Sequence, residues 1–211
     1  MAIESGSGRR PPTGYAPPLV SWEAFHDRVI GRENRAEWVD GEIIKLVPDN
    51  LEHFLLMDFL SDLIKSYVRR QALGLVFFAN FLMRLETRPS GRVPDIFFVA
   101  NEHLDRLTGT YLNGPADLVV EIVSPDSEMR DRVEKLREYG EARIPEYWLL
   151  DQPRREALFY VLDADGRYQL APVGEDGIYT STVLTGFRLR VEWLWRSPLP
   201  TIAEALADLP A

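Results

Sequence analysis

Two apolar, strand-like runs that each contain a single carboxylate place the strongest constraint on the fold of this chain. Asp95 lies within residues 93–99 and Glu121 within residues 117–124, and their neighbours are mainly apolar. A near-continuous apolar run is typical of a strand that is buried on both faces. A charge buried there costs several kcal/mol unless a partner compensates it. A divalent cation shared by the two carboxylates would provide that compensation.

The two carboxylates can meet if their strands are neighbours in one sheet. The stretch between them is long enough for a connection that returns the chain to an adjacent strand. A helix is predicted next, over residues 128–140, and it carries Lys135, whose long side chain can reach back toward the strands. Two carboxylates, a divalent cation and a lysine form a set that is suited to hydrolysis.

The composition indicates one domain with a sizeable core and no disulfides. The chain has 211 residues, of which 45% are hydrophobic, and it contains no cysteine. Residues 1–18 include Ser5-Gly6-Ser7-Gly8 and several prolines, so they are predicted to be a flexible arm. Residues 19–211 are predicted to form a single domain.

Charge and hydropathy limit the partners that this chain is expected to have. The formal net charge is −9, whereas proteins that bind DNA without a metal usually carry a basic surface. No apolar run approaches the ~18 residues of a membrane-spanning helix, and the N-terminus lacks the apolar core of a signal peptide. We therefore expect a cytoplasmic protein without a membrane partner.

Hydrophobic periodicity predicts a mixed α/β (α+β) domain with a central mixed sheet flanked by helices. Helices are predicted over residues 21–30, 50–71, 102–107, 128–140 and 202–209. Strands are predicted over residues 36–39, 42–47, 75–78, 81–86, 93–99, 117–124, 146–150, 157–162, 168–173 and 187–193. Asp40-Gly41 predicts a hairpin turn, and Asn50 and Gly74 are the expected cap and end of the long helix.

Several of these segments together resemble the Uma-two family of restriction-endonuclease-like proteins, within the PD-(D/E)xK nuclease superfamily. The matching segments are residues 39–42, His53, residues 93–95, residues 117–125, Lys135 with Tyr139, and residues 144–151. They cover roughly residues 35–170, and the block 117–125 followed by 145–151 is the most specific part. The broader superfamily signature has a lysine two positions after the second acid, where this chain has Val123. The resemblance implies that the lysine has moved to position 135.

The resemblance implies a restriction-endonuclease-like core and hydrolysis of DNA phosphodiester bonds by an activated water. A divalent cation, Mg²⁺ or Mn²⁺, is implied, with Asp95, Glu121 and the main-chain carbonyl of Ile122 as its ligands. Lys135 is implied to orient the water or to stabilise the charge of the transition state. A homodimer is expected because cutting both strands of a duplex favours two related sites.

Three of the expected site residues have a plainer interpretation as well. Glu42 matches the early acidic position of the family and is expected as an auxiliary catalytic acid, but a charge after a hairpin turn is ordinary. His53 is expected as an auxiliary site residue, or it caps its own helix. Lys135 lies among other charged residues, which is also typical of a solvated helix face.

A function from another class stays open at this point, namely a non-catalytic nucleic-acid-binding or assembly module on the same fold. The acidic net charge and the displaced lysine favour it. Tyr139, Tyr147 and Trp148 could stack on bases, but we expect them to fill the core. The arginine pairs at 69–70 and 154–155 are candidate phosphate contacts.

Overall fold

The two acid-bearing runs form adjacent strands of a six-stranded sheet in the computed structural model, which describes residues 18–29, 36–47, 50–124 and 127–209. The strands are β1 (Ala36–Val39), β2 (Glu42–Lys45), β3 (Gly74–Phe78), β4 (Leu82–Leu85), β5 (Ser90–Arg92), β6 (Ile96–Ala100), β7 (Tyr111–Asn113), β8 (Leu118–Ile122), β9 (Glu146–Asp151), β10 (Glu156–Leu162), β11 (Tyr168–Leu170), β12 (Ile178–Thr180) and β13 (Arg188–Arg190). The helices are α1 (Trp22–Val29), α2 (Leu51–Arg70), α3 (Leu136–Glu141) and α4 (Ile202–Ala207). Single turns of 3-10 helix lie at Asn101–Arg106 and Val191–Trp195, and a π-helical turn at Arg130–Lys135 runs directly into α3.

The six-stranded sheet is mixed, as predicted, with the order β11-β10-β9-β8-β6-β3. Strands β8 and β9 are parallel, whereas β6 is antiparallel to β8. Ile96 pairs with Val120 and Phe97 with Val119. The same register continued by one residue sets Asp95 opposite Glu121, and residues directly opposite each other project from the same face of a sheet.

A second, five-stranded sheet with the order β2-β1-β5-β4-β7 packs beside the first and adds a buried acid to the site described below. Its first hairpin turns at Asp40 and Gly41, which have φ angles of 48° and 91°. Two consecutive residues with positive φ are typical of the tight hairpin turn that Asp-Gly favours, so the predicted hairpin is confirmed. Strands β12 and β13 form a separate two-stranded ribbon.

The six-stranded sheet is covered on both faces, so its strands are buried as the apolar runs predicted. Leu56, Leu60 and Leu63 of α2 pack on one face with Val120 and Ile122. Tyr139 and Ile144, from α3 and the turn after it, pack on the other face with Phe97 and Val119. Because Asp95 and Glu121 have odd numbers in these two strands, they face the α3 side of the sheet.

The long helix begins and ends for reasons that the sequence shows only in part. Asn50 is its N-cap, since the Asn50 side chain accepts a hydrogen bond of 2.9 Å from the main-chain N–H of His53. The helix ends at Arg70 rather than at Gly74, which opens β3 instead. Ala72, with φ of 50°, makes the left-handed reversal that glycine more often makes.

Other differences from the predicted elements are short or local. Strands β5, β7 and β12 were not predicted because three residues are too few to show a period of two. The predicted strand 187–193 is a strand only over Arg188–Arg190 and then forms a 3-10 turn. The predicted arm lies outside the described residues except for Pro18. Within the described ranges, no helix is both long and apolar enough to cross a membrane.

Candidate active site

Asp95 and Glu121 line one small polar cavity of about 120 Å³ at the end of β6 and β8. Its charged and titratable lining residues are Glu37, Lys45, His53, Asp95, Glu121, Arg130, Asp131 and Lys135. Ile122 also contributes to the wall. The structure therefore brings five of the six predicted site residues together, and the exception is Glu42.

Asp95 is fixed by two donors that both contact its Oδ2 atom. The main-chain N–H of Ile122 donates to it at 2.7 Å, and Nε2 of His53 lies 3.1 Å away. The same Nε2 lies 3.1 Å from the carbonyl oxygen of Ile122. Because both partners of Nε2 are acceptors, this nitrogen carries the hydrogen and shares it between them. His53 thus holds together the two groups, Asp95 and Ile122, that were predicted as metal ligands.

Glu121 is held through its Oε1 atom and is almost completely buried. The Tyr139 hydroxyl donates to Oε1 at 2.7 Å, and Nζ of Lys135 lies 2.8 Å from the same oxygen. Burial raises the pKa of Glu121 to about 8, with the charges of Asp131 and Asp95 adding to the effect and Lys135 opposing it. Burial and the neighbouring acids therefore outweigh the lysine in their effect on the pKa of Glu121.

Lys135 points into this cavity rather than into solvent, with a side chain that is only 4% exposed. Its Nζ atom lies 2.8 Å from Glu121, 3.1 Å from Asp131 and 3.5 Å from Glu37. Burial lowers the pKa of Lys135, but the three carboxylates outweigh it and hold the pKa above its usual value. The three neighbouring acids therefore favour the charged form of Lys135.

A π-helical turn over Arg130–Lys135 positions the lysine. Turns of this kind are rare, and they occur often at functional sites. Asp131 and Lys135 both lie on this turn and both line the cavity. The Tyr147 hydroxyl donates a hydrogen bond of 3.0 Å to the main-chain carbonyl of Asp131, which anchors the turn to β9.

The acid that accompanies Asp95 and Glu121 is Glu37 of β1. Its carboxylate accepts from Arg92 at 2.9 Å and from the main-chain N–H of Val93 at 3.2 Å. Burial raises the pKa of Glu37, but Lys135, Arg92 and Arg130 together lower it to about 2. Glu37 interrupts a buried strand just as Asp95 and Glu121 do, so the same sequence signal was present there.

Glu42 lies elsewhere, and the expectation that it joins the site is corrected. It is exposed at the start of β2, where it pairs with Val39 beside the hairpin turn, and it does not line the cavity. A residue at a hairpin tip projects beyond the sheet, whereas Glu37 lies two residues deeper in the neighbouring strand. The acidic position contributed by this hairpin is therefore Glu37.

Arg92 links the cavity to the helix beyond it. Its guanidinium donates to both carboxylate oxygens of Glu138, at 3.2 and 3.0 Å from Nε, and to Glu37. Ser90 donates to the same Glu138 carboxylate. All of these side chains are buried, so the charges are paired as burial requires.

The remaining predicted candidates are separate from the site. Tyr147 and Trp148 are fully buried, as expected of core residues, so they do not present a face to a base. Arg154 pairs with Asp151 at 2.9 Å and with Glu128 at 2.5 Å. Arg155 is exposed.

The oxygen atoms at the cavity fit a hard divalent cation that retains water. In the described part of the chain, no three His, Asp or Glu side chains are grouped to hold a metal ion by themselves. Two carboxylates and a main-chain carbonyl are all hard oxygen ligands, which suit Mg²⁺, an ion that keeps several waters, better than Zn²⁺, which usually takes nitrogen or sulfur ligands.

The chain is similar to known proteins in its sequence and in its fold. The model of the Uma2 (Uma-two) family, described as "Putative restriction endonuclease", matches residues 22–192. A solved structure from Anabaena variabilis, titled a "putative nuclease belonging to DUF820", is similar with a TM-score of 0.68 and 17% identity, over 85% of this chain and 98% of that one. No curated protein matches the chain. At this level of identity, the structural likeness shows the fold.

Proposed function

We propose that this chain, which belongs to the Uma2 family and has a restriction-endonuclease-like fold, is a divalent-cation-dependent endonuclease that hydrolyses DNA phosphodiester bonds. The observation that carries the proposal is the convergence of Asp95, Glu121 and Lys135 on one small polar cavity. Ionisable groups with strongly perturbed pKa values are concentrated in the clefts of functional sites.

Asp95, Glu121 and the Ile122 carbonyl would hold the cation, Mg²⁺ or Mn²⁺. A cation bound there would acidify a water molecule and neutralise charge on a phosphoryl oxygen. The contacts of Asp95 with His53 and with the main-chain N–H of Ile122 are both made by Oδ2. The contacts of Glu121 with Tyr139 and Lys135 are both made by Oε1. Each carboxylate therefore keeps a second oxygen that these contacts do not occupy.

The chain's own residues supply orientation and fixed charge. The neighbouring acids raise the pKa of Lys135 and so favour its charged form, which would stabilise the negative charge that develops on the phosphoryl oxygens. Tyr139 holds Glu121 in place through its hydroxyl. His53 fixes Asp95 relative to the Ile122 carbonyl.

A non-catalytic nucleic-acid-binding module on the same fold is the second candidate function. The observation that favours it is the pairing of Lys135 with three carboxylates, which neutralises the charge that a phosphate would meet. The two functions differ in turnover and not in affinity for a cation, because an inactive site can still bind a metal.

Cleavage of supercoiled plasmid DNA in Mg²⁺ or Mn²⁺ tests the proposal. The wild-type protein should nick the plasmid, EDTA should stop the reaction, and Glu121→Gln should lower the rate by at least about 100-fold, as is usual for loss of an essential group. Glu134→Gln is the matched control, because Glu134 is exposed on the helical segment that carries Lys135. This variant should cleave DNA at the wild-type rate. Nicking that survives in Glu121→Gln would overturn the site, and an inactive wild type would favour the binding module.

A further inference from the structure

A second and larger cavity, of about 580 Å³, lies outside the candidate active site. Its walls come from the first turn of α2, the loop after β9 and the segment 194–199 that follows the last 3-10 turn. Sites for small molecules and cofactors usually have volumes of ~300–1,000 Å³. The cavity is therefore large enough for a single nucleotide, but it is not a groove for a duplex.

Two elements connect this cavity to the candidate active site, because neighbouring residues of each element line or adjoin the two cavities. Glu52 lines it, and the next residue of α2, His53, lines the active site. Gln152 lines it two residues after Leu150, which pairs with Ile122 of the active site. Both cavities are thus at the same end of β8 and β9, with the start of α2 between them.

The lining has the chemistry of a nucleotide site. Trp195 is half-buried and provides an aromatic surface beside Leu55 and Leu199, while Arg155 and Arg196 are exposed at the same cavity. Glu52 is the single acid among the lining residues, so this surface has a net positive charge on a chain whose formal net charge is −9. Aromatic side chains stack on unpaired bases, and arginine is the side chain best suited to phosphate.

Arg155 is also held in an unusual conformation at this site. Its φ angle is 50°, in the left-handed region that a long side chain rarely adopts, and its guanidinium donates to the main-chain carbonyl of Trp195 at 3.4 Å. Strained residues persist where the surrounding structure fixes them, and they are concentrated at binding sites. This contact brings the arginine to the main chain of Trp195, and both residues line the same cavity.

We propose that this cavity binds one unpaired nucleotide of the substrate strand, with its base against Trp195 and its phosphate against Arg155 and Arg196. The inference rests on the proposed function in that the strand held here is the one that reaches the catalytic cavity. It gives the enzyme a preference for DNA that is single-stranded near the cut, because a paired base cannot enter the cavity.

Binding in EDTA tests this inference without cleavage. The probe is fluorescein-labelled oligothymidylate, with a blunt duplex of the same length as competitor, followed by fluorescence anisotropy. The wild type should prefer the single strand, and Arg155→Gln/Arg196→Gln should bind it at least roughly tenfold more weakly, as the loss of phosphate or stacking contacts predicts. Trp195→Leu should also weaken binding. Arg188→Gln, which changes an exposed arginine on β13, is the control and should bind like wild type.

The outcomes separate this inference from the nuclease proposal. Equal affinity for single strand and duplex, or unchanged affinity in Arg155→Gln/Arg196→Gln, would overturn the nucleotide site even if Glu121→Gln abolishes plasmid cleavage. Binding that depends on these arginines would support the nucleotide site even if the wild type cleaves no DNA. Because both arginines are exposed, their replacement should leave the fold intact, which circular dichroism would verify.

Discussion

At the scale of single residues, the proposed catalytic geometry depends on groups that hold Asp95 and Glu121 in place. Tyr139 and Lys135 share one oxygen of Glu121, and His53 bridges Asp95 and the carbonyl of Ile122. Groups that orient metal ligands typically change affinity or activity by ~10–100-fold when removed. The residues behind the ligands are therefore the most informative ones to replace.

Replacing Tyr139 by phenylalanine should show whether the Tyr139 hydroxyl positions Glu121 for catalysis or only stabilises the fold. Loss of the hydroxyl leaves Glu121 with one partner, so we expect DNA cleavage to fall by roughly tenfold or more while the free energy of unfolding drops by only about 1 kcal/mol. Tyr168→Phe is the matched control, because it removes a hydroxyl that donates to the Ile144 carbonyl at 2.8 Å away from the cavity. Equal loss of activity in both variants would contradict a positioning role for Tyr139.

The lowered pKa of Glu37 predicts how the free energy of unfolding changes with pH in the acid range. Its pKa is lowered from 4.5 to about 2 in the folded protein, so its contribution is complete above pH 4.5 and is lost as the pH falls toward 2. The shift corresponds to about 3 kcal/mol. Urea unfolding should therefore show a deficit in Glu37→Gln that is largest at neutral pH and shrinks toward pH 2. A deficit that does not change with pH would contradict this, and exposed Glu42→Gln serves as the control.

The residue scale also shows which site residues the sequence can reveal. Asp95 and Glu121 were predictable because a lone acid in a buried run is conspicuous, and Lys135 because its helix follows the second strand. Glu37 has the same signal in a shorter strand, but the early acidic position of the family resemblance directed attention to Glu42 instead. The partners of these acids lie far away in sequence, so only the folded structure identifies them.

At the scale of elements, two local features determine the geometry of the site. The first is the π-helical turn that carries Asp131 and Lys135. Nothing in the spacing of residues 128–140 distinguishes such a turn from an ordinary α-helix, and therefore the sequence predicted only a helix. The second is the hairpin of β1 and β2, which was predictable from Asp40-Gly41 and brings Glu37 to the cavity.

Another element-scale contact joins the C-terminal part of the chain to the central sheet. Glu146 at the start of β9 is fully buried and accepts hydrogen bonds from six donors. The donors are the indole of Trp148, the hydroxyls of Tyr179, Ser181 and Thr182, and the main-chain N–H groups of Thr182 and Val183. These bonds offset the cost of burying a carboxylate without a cation.

Replacing Glu146 by glutamine should destabilise the fold by about 3 kcal/mol or more. An amide offers only one oxygen, so buried donors that face the second one lose their acceptor, and each such loss costs roughly 1–3 kcal/mol. The measurement is the midpoint of urea unfolding. Glu175→Gln, an exposed change in the same region of the chain, is the control. A shift no larger than that of the control would contradict this role for Glu146.

At the scale of the whole molecule, the negative charge shapes how nucleic acid can bind. With a formal net charge of −9, binding without a metal should rest on few cationic contacts. If Arg155 and Arg196 provide the two main phosphate contacts, the slope of log K against log salt for oligothymidylate in EDTA should be about −1.4, at ~0.7 per phosphate for a single strand. A slope steeper than about −4 would indicate an extended basic surface that this account lacks.

At the scale of the whole molecule, some features of the fold could be predicted from the sequence and others could not. The fold class was predictable from near-continuous apolar runs between helical patterns, and the family from segments such as 117–125 and 144–151 that resemble it. Strands β5 and β7 of the second sheet were not predictable, since they depend on contacts with distant segments. The expected homodimer stays a prediction, which sedimentation velocity at several protein concentrations would test.

The central claim is that Asp95 and Glu121, from neighbouring strands, jointly hold a divalent cation beside Lys135. Crystals of the wild type and of Glu121→Gln soaked in MnCl₂, with anomalous data collected near the manganese edge, test it most directly. We predict an anomalous peak in the wild-type cavity between Asp95, Glu121 and the Ile122 carbonyl, and a much weaker peak in the variant. A well-soaked wild-type crystal with no peak there, or an equal peak in both crystals, would contradict the claim.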